Sequence, residues 1–162
     1  MPSGPTSAFY PGSFDPLTNG HKDIVERALS VFDRIIIALA QNNSKSALFS
    51  LDERRKLVLE TFDSERVEVV IFEGLMVHAA AQHGATAVLR GLRGVSDFEY
   101  EFQLATMNKT LSPGLETFFM MTEKHNFYVS SKLVREVASF GGDVSDVVPP
   151  HIAIALKRKY AK

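Results

Sequence analysis

Tyr10-Pro11-Gly12-Ser13-Phe14-Asp15-Pro16-Leu17-Thr18-Asn19-Gly20-His21 decides the reading of this chain. The apolar run Ala8-Phe9-Tyr10 leads into it, and Asp23-Ile24-Val25-Glu26-Arg27-Ala28-Leu29, helical in character, follows it. The order is strand, glycine-containing turn, helix start. Free backbone N–H groups at a helix N-terminus, beside turn glycines, form an anion site. A histidine at the same helix start adds a donor that can point at a phosphate. The stretch therefore predicts a nucleotide at the end of the first strand.

Outward from this stretch, apolar runs of strand length alternate with segments of helical period. Strands are expected at Ser7–Tyr10, Arg34–Ala40, Arg66–Phe72, Thr86–Arg90 and Glu116–Met121. Ile35-Ile36-Ile37 and Val67-Glu68-Val69-Val70-Ile71 are β-branched with little alternation, as in strands covered on both faces. Helices are expected at Gly20–Phe32, Ser50–Thr61, Leu75–His83, Ser96–Leu111, Ser130–Phe140 and Pro149–Tyr160. Ser50 and Glu53 form a capping-box pair, Gly141-Gly142 marks a helix stop, and Phe98, Phe102, Ala105 and either Leu104 or Met107 form an apolar side. The alternation predicts an α/β fold: a Rossmann-like, doubly wound, parallel five-stranded sheet with helices on both faces. Residues 1–6 read as a frayed tail and residues 7–162 as one domain.

Composition narrows the function. The chain has 162 residues, 45% of them hydrophobic and 23% charged, the balance of an ordinary globular domain. There is no cysteine, which excludes disulfides and thiolate metal sites and suits a reducing, cytoplasmic setting. A net charge of −1 supplies no global field for nucleic acid or an anionic membrane. No apolar run approaches the ~18 residues of a membrane span.

In a doubly wound sheet the ligand crevice lies beyond the carboxyl ends of the strands. Four predicted strand ends lead into Gly12–His21, Gln41–Lys45, Arg90–Gly94 and Thr122–Lys132. They supply serine, histidine, lysine, arginine and glycine, which suit phosphate oxygens. Each also has a plainer reading. His21 could be a surface histidine after an Asn-Gly turn. Arg90 and Arg93 could pair with Asp97, Glu99 or Glu101, and a carboxylate could also hold an arginine that grips phosphate. Lys45 could be a solvated loop lysine, and Ser130-Ser131-Lys132 could simply cap a helix. His78 and His83 read as structural or exposed, and no metal-ligand spacing, nucleophile elbow, dinucleotide fingerprint or P-loop occurs.

The opening stretch, with Thr18-Asn19-Gly20-His21, resembles the signature of the nucleotidylyltransferase superfamily that carries a His-x-Gly-His-type motif. Arg90-Gly91-Leu92-Arg93-Gly94-Val95-Ser96-Asp97-Phe98-Glu99-Tyr100-Glu101, followed by Gln103-Leu104-Ala105 and Asn108, resembles the bacterial phosphopantetheine adenylyltransferase family. That resemblance implies transfer of an adenylyl group from ATP to 4′-phosphopantetheine, giving dephospho-coenzyme A and pyrophosphate, with Mg2+. It implies His21 as transition-state stabiliser, with Lys45 and Arg93 as further catalytic cations. ATP would meet Ser13, Phe14, His21, Gly91, Leu92, Arg93, Glu101, Asn126, Phe127, Tyr128, Val129, Ser130, Ser131 and Lys132. The acceptor would meet Ser13, Lys45, Met76, Arg90 and Asn108. A homohexamer and feedback by coenzyme A are also implied. Lys132 stands where the family commonly has a third serine, Asn126 where an aromatic is frequent, and Ser46 where a lysine often follows. The alternatives are a nicotinate or nicotinamide mononucleotide adenylyltransferase, against which the Arg90–Glu101 block speaks, and a non-catalytic coenzyme A or nucleotide sensor.

Overall fold

Five parallel strands carry the molecule: β1 (Ser7–Gly12), β2 (Arg34–Ala40), β3 (Val67–Phe72), β4 (Ala87–Leu92) and β5 (Glu116–Met121). The computed structural model describes residues 4–41 and 46–161. The strand order is β3-β2-β1-β4-β5. β1 is therefore central, and the chain reverses its winding between β1 and β4. That is the topological switch point, where such sheets open a crevice.

The side chains show why these runs become strands. Along β2, Ile35, Ile37 and Leu39 enter one apolar cluster while Ile36 and Ala38 enter another. β1 divides the same way, with Ala8 and Tyr10 against Phe9, and so does β4, with Ala87 and Leu89 against Val88. Both sheet faces are covered, so an unbroken apolar run is the stable pattern. Helices α1 (Asn19–Ala28), α2 (Leu51–Thr61), α5 (Ser131–Ser139) and α6 (Pro150–Tyr160) feed the larger cluster through Ile24, Val25, Val58, Val134, Ile152 and Leu156. Helix α3 (Met76–Gln82) feeds the smaller one through Val77, Ala79 and Ala80. Helix α4 (Val95–Leu111) joins β4 to β5.

Caps fix where the helices begin. Thr18 accepts from His21 N, and the His21 side chain returns to Thr18 N, so the helix start is stapled by the histidine itself. Ser50 and Glu53 close the expected capping box on α2. Ser130 caps α5 by accepting from Leu133 N at 3.1 Å.

Three details differ from the sequence reading. Thr6, expected in the frayed tail, is tied down, because its N–H and hydroxyl both bond the Asp33 carboxylate, at 2.7 and 2.9 Å. Helix α1 stops at Ala28, and tighter turns through Ser30 and Val31 still bring Phe32 into the core. On α4 the expected apolar side is not buried within the chain. Only Glu101 is buried there, while Phe98, Tyr100, Phe102 and Met107 stay half exposed or more.

Candidate functional site

At the carboxyl ends of β1 and β4 two cavities adjoin, of about 620 and 510 Å³. They share Gly12, Ser13, Arg90, Glu101 and Arg135 as a common wall. The first runs toward Met76, Leu104 and Asn108 and is the more apolar in character. The second runs toward His21, Gly91, Arg93, Asn126 and the start of α5. Two ligands could thus meet end to end at Ser13 and Arg90.

His21 is the third residue of α1 and half buried. Its Nδ1 lies 3.0 Å from Thr18 N and 3.1 Å from the Thr18 hydroxyl. A backbone N–H can only donate, so Nδ1 accepts and Nε2 carries the ring proton. The Phe14 ring meets the imidazole edge-on, with centroids 4.9 Å apart, and holds its plane. Burial, followed by the nearby charges of Arg93 and Arg90, pushes the His21 pKa down to about 4. At neutral pH the site therefore presents an uncharged imidazole with a fixed Nε2–H donor. An anion placed beside it would raise that pKa again.

This shift gives a stability prediction. The unfolded chain binds the proton near pH 6.5 and the folded one only near 4, so folding loses stability as pH falls through that window. His21→Gln removes the titration yet keeps a side chain suited to the capping box. Thermal melts should show the wild-type midpoint falling more steeply than that of His21→Gln between pH 6.5 and 4. Parallel curves would contradict the assigned shift.

Arg90 reaches back from β4 and is held by three bonds. Its Nε and Nη2 engage the two Glu101 oxygens at 2.8 and 2.6 Å, and Nη1 donates to Pro11 O at 3.1 Å. Burial works against the Arg90 charge, but the hydrogen-bonded, oppositely charged Glu101 more than offsets it, and its pKa rises. Such a fork is positioned before any ligand arrives. Arg93 bonds Val129 O at 3.0 Å and lies 3.6 Å from Asp97. Burial pushes the Tyr10 phenol well above its ordinary value, against the pull of Arg90 and Arg93, so it stays neutral. The wall offers cations and N–H donors, and the one carboxylate in its centre, Glu101, has both oxygens taken up by Arg90.

The second cavity collects Ser13, Phe14, His21, Gly91, Arg93, Glu101, Asn126, Val129, Ser130, Ser131 and Lys132 from the sequence-derived set. The first collects Ser13, Met76, Arg90 and Asn108. Leu92, Phe127 and Tyr128 line neither: Leu92 is buried in β4, and Tyr128 is 88% exposed. Lys45 lies outside the described residues. Of the other histidines, His78 is exposed, His83 stacks on Phe9, and His151 bonds Leu57 O at 3.0 Å.

The sequence reading missed three wall residues. Arg135 lines both cavities, donates to Asp15 O and pairs with the Asp15 carboxylate at 3.5 Å. Its spacing of four from Ser131, one helical turn, was a usable signal. Asp15 also accepts from Leu48 N and Phe49 N, both at 2.9 Å, and so ties the loop before α2 to the turn after β1. Arg54 of α2 donates to Ser13 O at 2.8 Å, a contact no local pattern announces.

The family model described as cytidylyltransferase-like matches residues 9–137. The phosphopantetheine adenylyltransferase of Anaeromyxobacter dehalogenans strain 2CP-C is 55% identical over 157 residues, covering 96% of each chain. That of Geotalea daltonii is 53% identical over 154 residues, 94% of this chain and 96% of the relative. Among solved structures, a Vibrio parahaemolyticus protein provisionally described as a nicotinate-nucleotide adenylyltransferase aligns with a TM-score of 0.71 over 98% of both chains, at 16% identity. The Plasmodium falciparum nicotinic acid mononucleotide adenylyltransferase aligns with a TM-score of 0.65 at 16% identity, over 97% of this chain and 96% of that one. At that identity the likeness speaks for the fold alone.

Proposed function

The chain belongs to the cytidylyltransferase-like family and, within it, to the phosphopantetheine adenylyltransferases, and from that premise we propose that it transfers the adenylyl group of ATP to 4′-phosphopantetheine, giving dephospho-coenzyme A and pyrophosphate. The observation that carries the reading is the pair of cavities meeting at Ser13 and Arg90 under a neutral, donor-presenting His21. A phosphate oxygen of the acceptor attacks the α-phosphorus of ATP. The bond from that phosphorus to the bridging oxygen breaks, and pyrophosphate leaves with the electron pair. The attacking oxygen is already ionised near neutral pH, so no base has to remove a proton. The work is to bring two anions together and to neutralise charge as it spreads.

Each group has a part in that work. Arg90, held by Glu101, with Lys45, grips the acceptor phosphate, while Met76 and Asn108 line the pantetheine side. Gly91, Arg93, Asn126 and the α5 start at Ser130, Ser131 and Lys132 hold the nucleotide and its phosphates. Ser13, the Phe14 N–H and His21 Nε2–H face the α-phosphate. Mg2+, bound with the triphosphate, would supply charge neutralisation there. Among the described residues no group of three or more His, Asp and Glu could hold it. Its ligands would be phosphate oxygens and water, which suits an ion that dehydrates reluctantly.

The exposed apolar residues of α4, with Phe118 and Met121 on the edge strand β5, support an assembly in which other copies cover them, and the homohexamer is the form proposed. No helix among the described residues is long and apolar enough to cross a membrane, and the reading places the enzyme in the cytoplasm, with coenzyme A as a feedback ligand. The test is pyrophosphate release from ATP with each acceptor in turn. Release with 4′-phosphopantetheine and little with nicotinate mononucleotide is expected. Release only with the mononucleotide, or with neither, overturns the proposal.

A further inference from the structure

Two unfavourable features flank one peptide bond. On one side Arg54 is 6% exposed, and its Nε is buried with no hydrogen-bond partner among the described residues. Among the described residues no carboxylate lies within 4.0 Å of its guanidinium; its one bond is Nη1 to the Ser13 carbonyl at 2.8 Å. On the other side Phe14 sits at φ 45°, in the left-handed region that a bulky L-residue avoids. A fold keeps a buried, incompletely bonded cation and a strained backbone side by side only where the surroundings over-determine them.

The planar trans peptide links the two. In the Ser13–Phe14 unit the C=O and N–H point in opposite directions. Arg54 and Ser13 line the first cavity, from which Phe14 is absent; Phe14 and Ser13 line the second, from which Arg54 is absent. Anchoring the Ser13 oxygen on the Arg54 side therefore aims the Phe14 N–H away from Arg54, and Phe14 belongs to the cavity that holds His21. The Phe14 ring meets the imidazole in a T-shaped contact, 4.9 Å between centroids.

We infer that Arg54 is a positioning residue: by holding the Ser13 carbonyl it fixes the Phe14 N–H and, through the Phe14 ring, His21 as donors to the α-phosphate. This rests on the reading of the site as an adenylyl-transfer centre. Arg54 itself touches no reacting atom in it. Its loss leaves the acceptor groups Met76, Arg90 and Asn108 in place and disturbs only Ser13 among the described acceptor contacts, so the effect falls mainly on turnover and little on acceptor affinity.

The test compares wild type, Arg54→Met and Arg54→Lys by steady-state kinetics and by 15N–1H spectra of protein labelled at phenylalanine, with ATP titrated in. Arg54→Met is expected to lower kcat about 10- to 100-fold, short of losing a donor outright. Its acceptor KM should change by less than about threefold. The Phe14 amide peak should move and lose its response to ATP, and Arg54→Lys should recover part of both. An unchanged Phe14 peak with normal kcat overturns the inference. So does a rise in acceptor KM alone, which would make Arg54 a direct acceptor contact. If Arg54→Met does not fold, Arg54→Lys decides, since its differently placed donor should shift the peak and lower kcat at least about threefold. Wild-type protein that releases no pyrophosphate sinks the functional reading instead, and the Phe14 response to ATP alone still decides the role of Arg54.

Discussion

His21→Ala lowers kcat about 100- to 1,000-fold, the usual effect of removing one preorganised donor from developing negative charge, while ATP still binds. The size follows from how the imidazole is prepared. Thr18 N–H holds Nδ1 as an acceptor, which leaves Nε2–H as the donor, and the Phe14 ring sets the plane. With the pKa pushed down to about 4, the ring waits uncharged and draws no counter-ion into the site. As charge builds on the α-phosphate oxygens, that donor strengthens without any reorganisation. ATP retains Arg93, Gly91 and the α5 start, so calorimetry should show an affinity within about tenfold of wild type. Near-normal turnover would remove His21 from the reaction. A matching loss of ATP binding would make it a ground-state contact.

Arg90→Ala has the second largest effect, and it acts on two properties at once. Charge-assisted bonds to the acceptor phosphate are lost, and acceptor KM should rise about 10- to 100-fold, as for one bond of roughly 1.5–3 kcal/mol. Glu101, only 8% exposed, is left without its partner, and stranding such a charge destabilises by roughly 3 kcal/mol. The double variant Arg90→Ala/Glu101→Ala separates the two effects. It should regain most of the lost melting temperature and none of the acceptor affinity. A double variant that restores the affinity would show that Arg90 serves only to neutralise Glu101.

Both predictions combine what the sequence carried with what only packing decides. β2 was legible because burial on two faces demands an unbroken apolar run, and the edge strand β5, with no buried residue, still falls where its apolar run puts it. His21 was legible because the strand, turn and helix start are contiguous. Its tautomer was not, since that depends on the Thr18 N–H closing back through space. Asp97, Glu99 and Glu101 all competed for Arg90 and Arg93 on spacing alone. The helix resolves the choice: Asp97, one turn from Arg93, approaches it, whereas Glu101 faces the strand and takes Arg90. Arg54 and Asp15 act across gaps of 41 and 33 residues, and no local pattern encodes such contacts. The apolar side of α4 was legible as a pattern, yet a pattern does not say whether its cover comes from the same chain.

The most direct measurement is a crystal structure with dephospho-coenzyme A bound. Its pyrophosphate link joins the former acceptor phosphate to the former α-phosphate, so it marks the bond that the reaction makes. That link should lie at the wall between the two cavities, with His21 Nε2 and Arg90 within hydrogen-bond reach, about 3 Å, the adenosine toward Arg93 and α5, and the pantetheine toward Met76 and Asn108. A product seated elsewhere, or one whose link leaves His21 and Arg90 on distant sides, would contradict the central claim that these groups join two anions without a base.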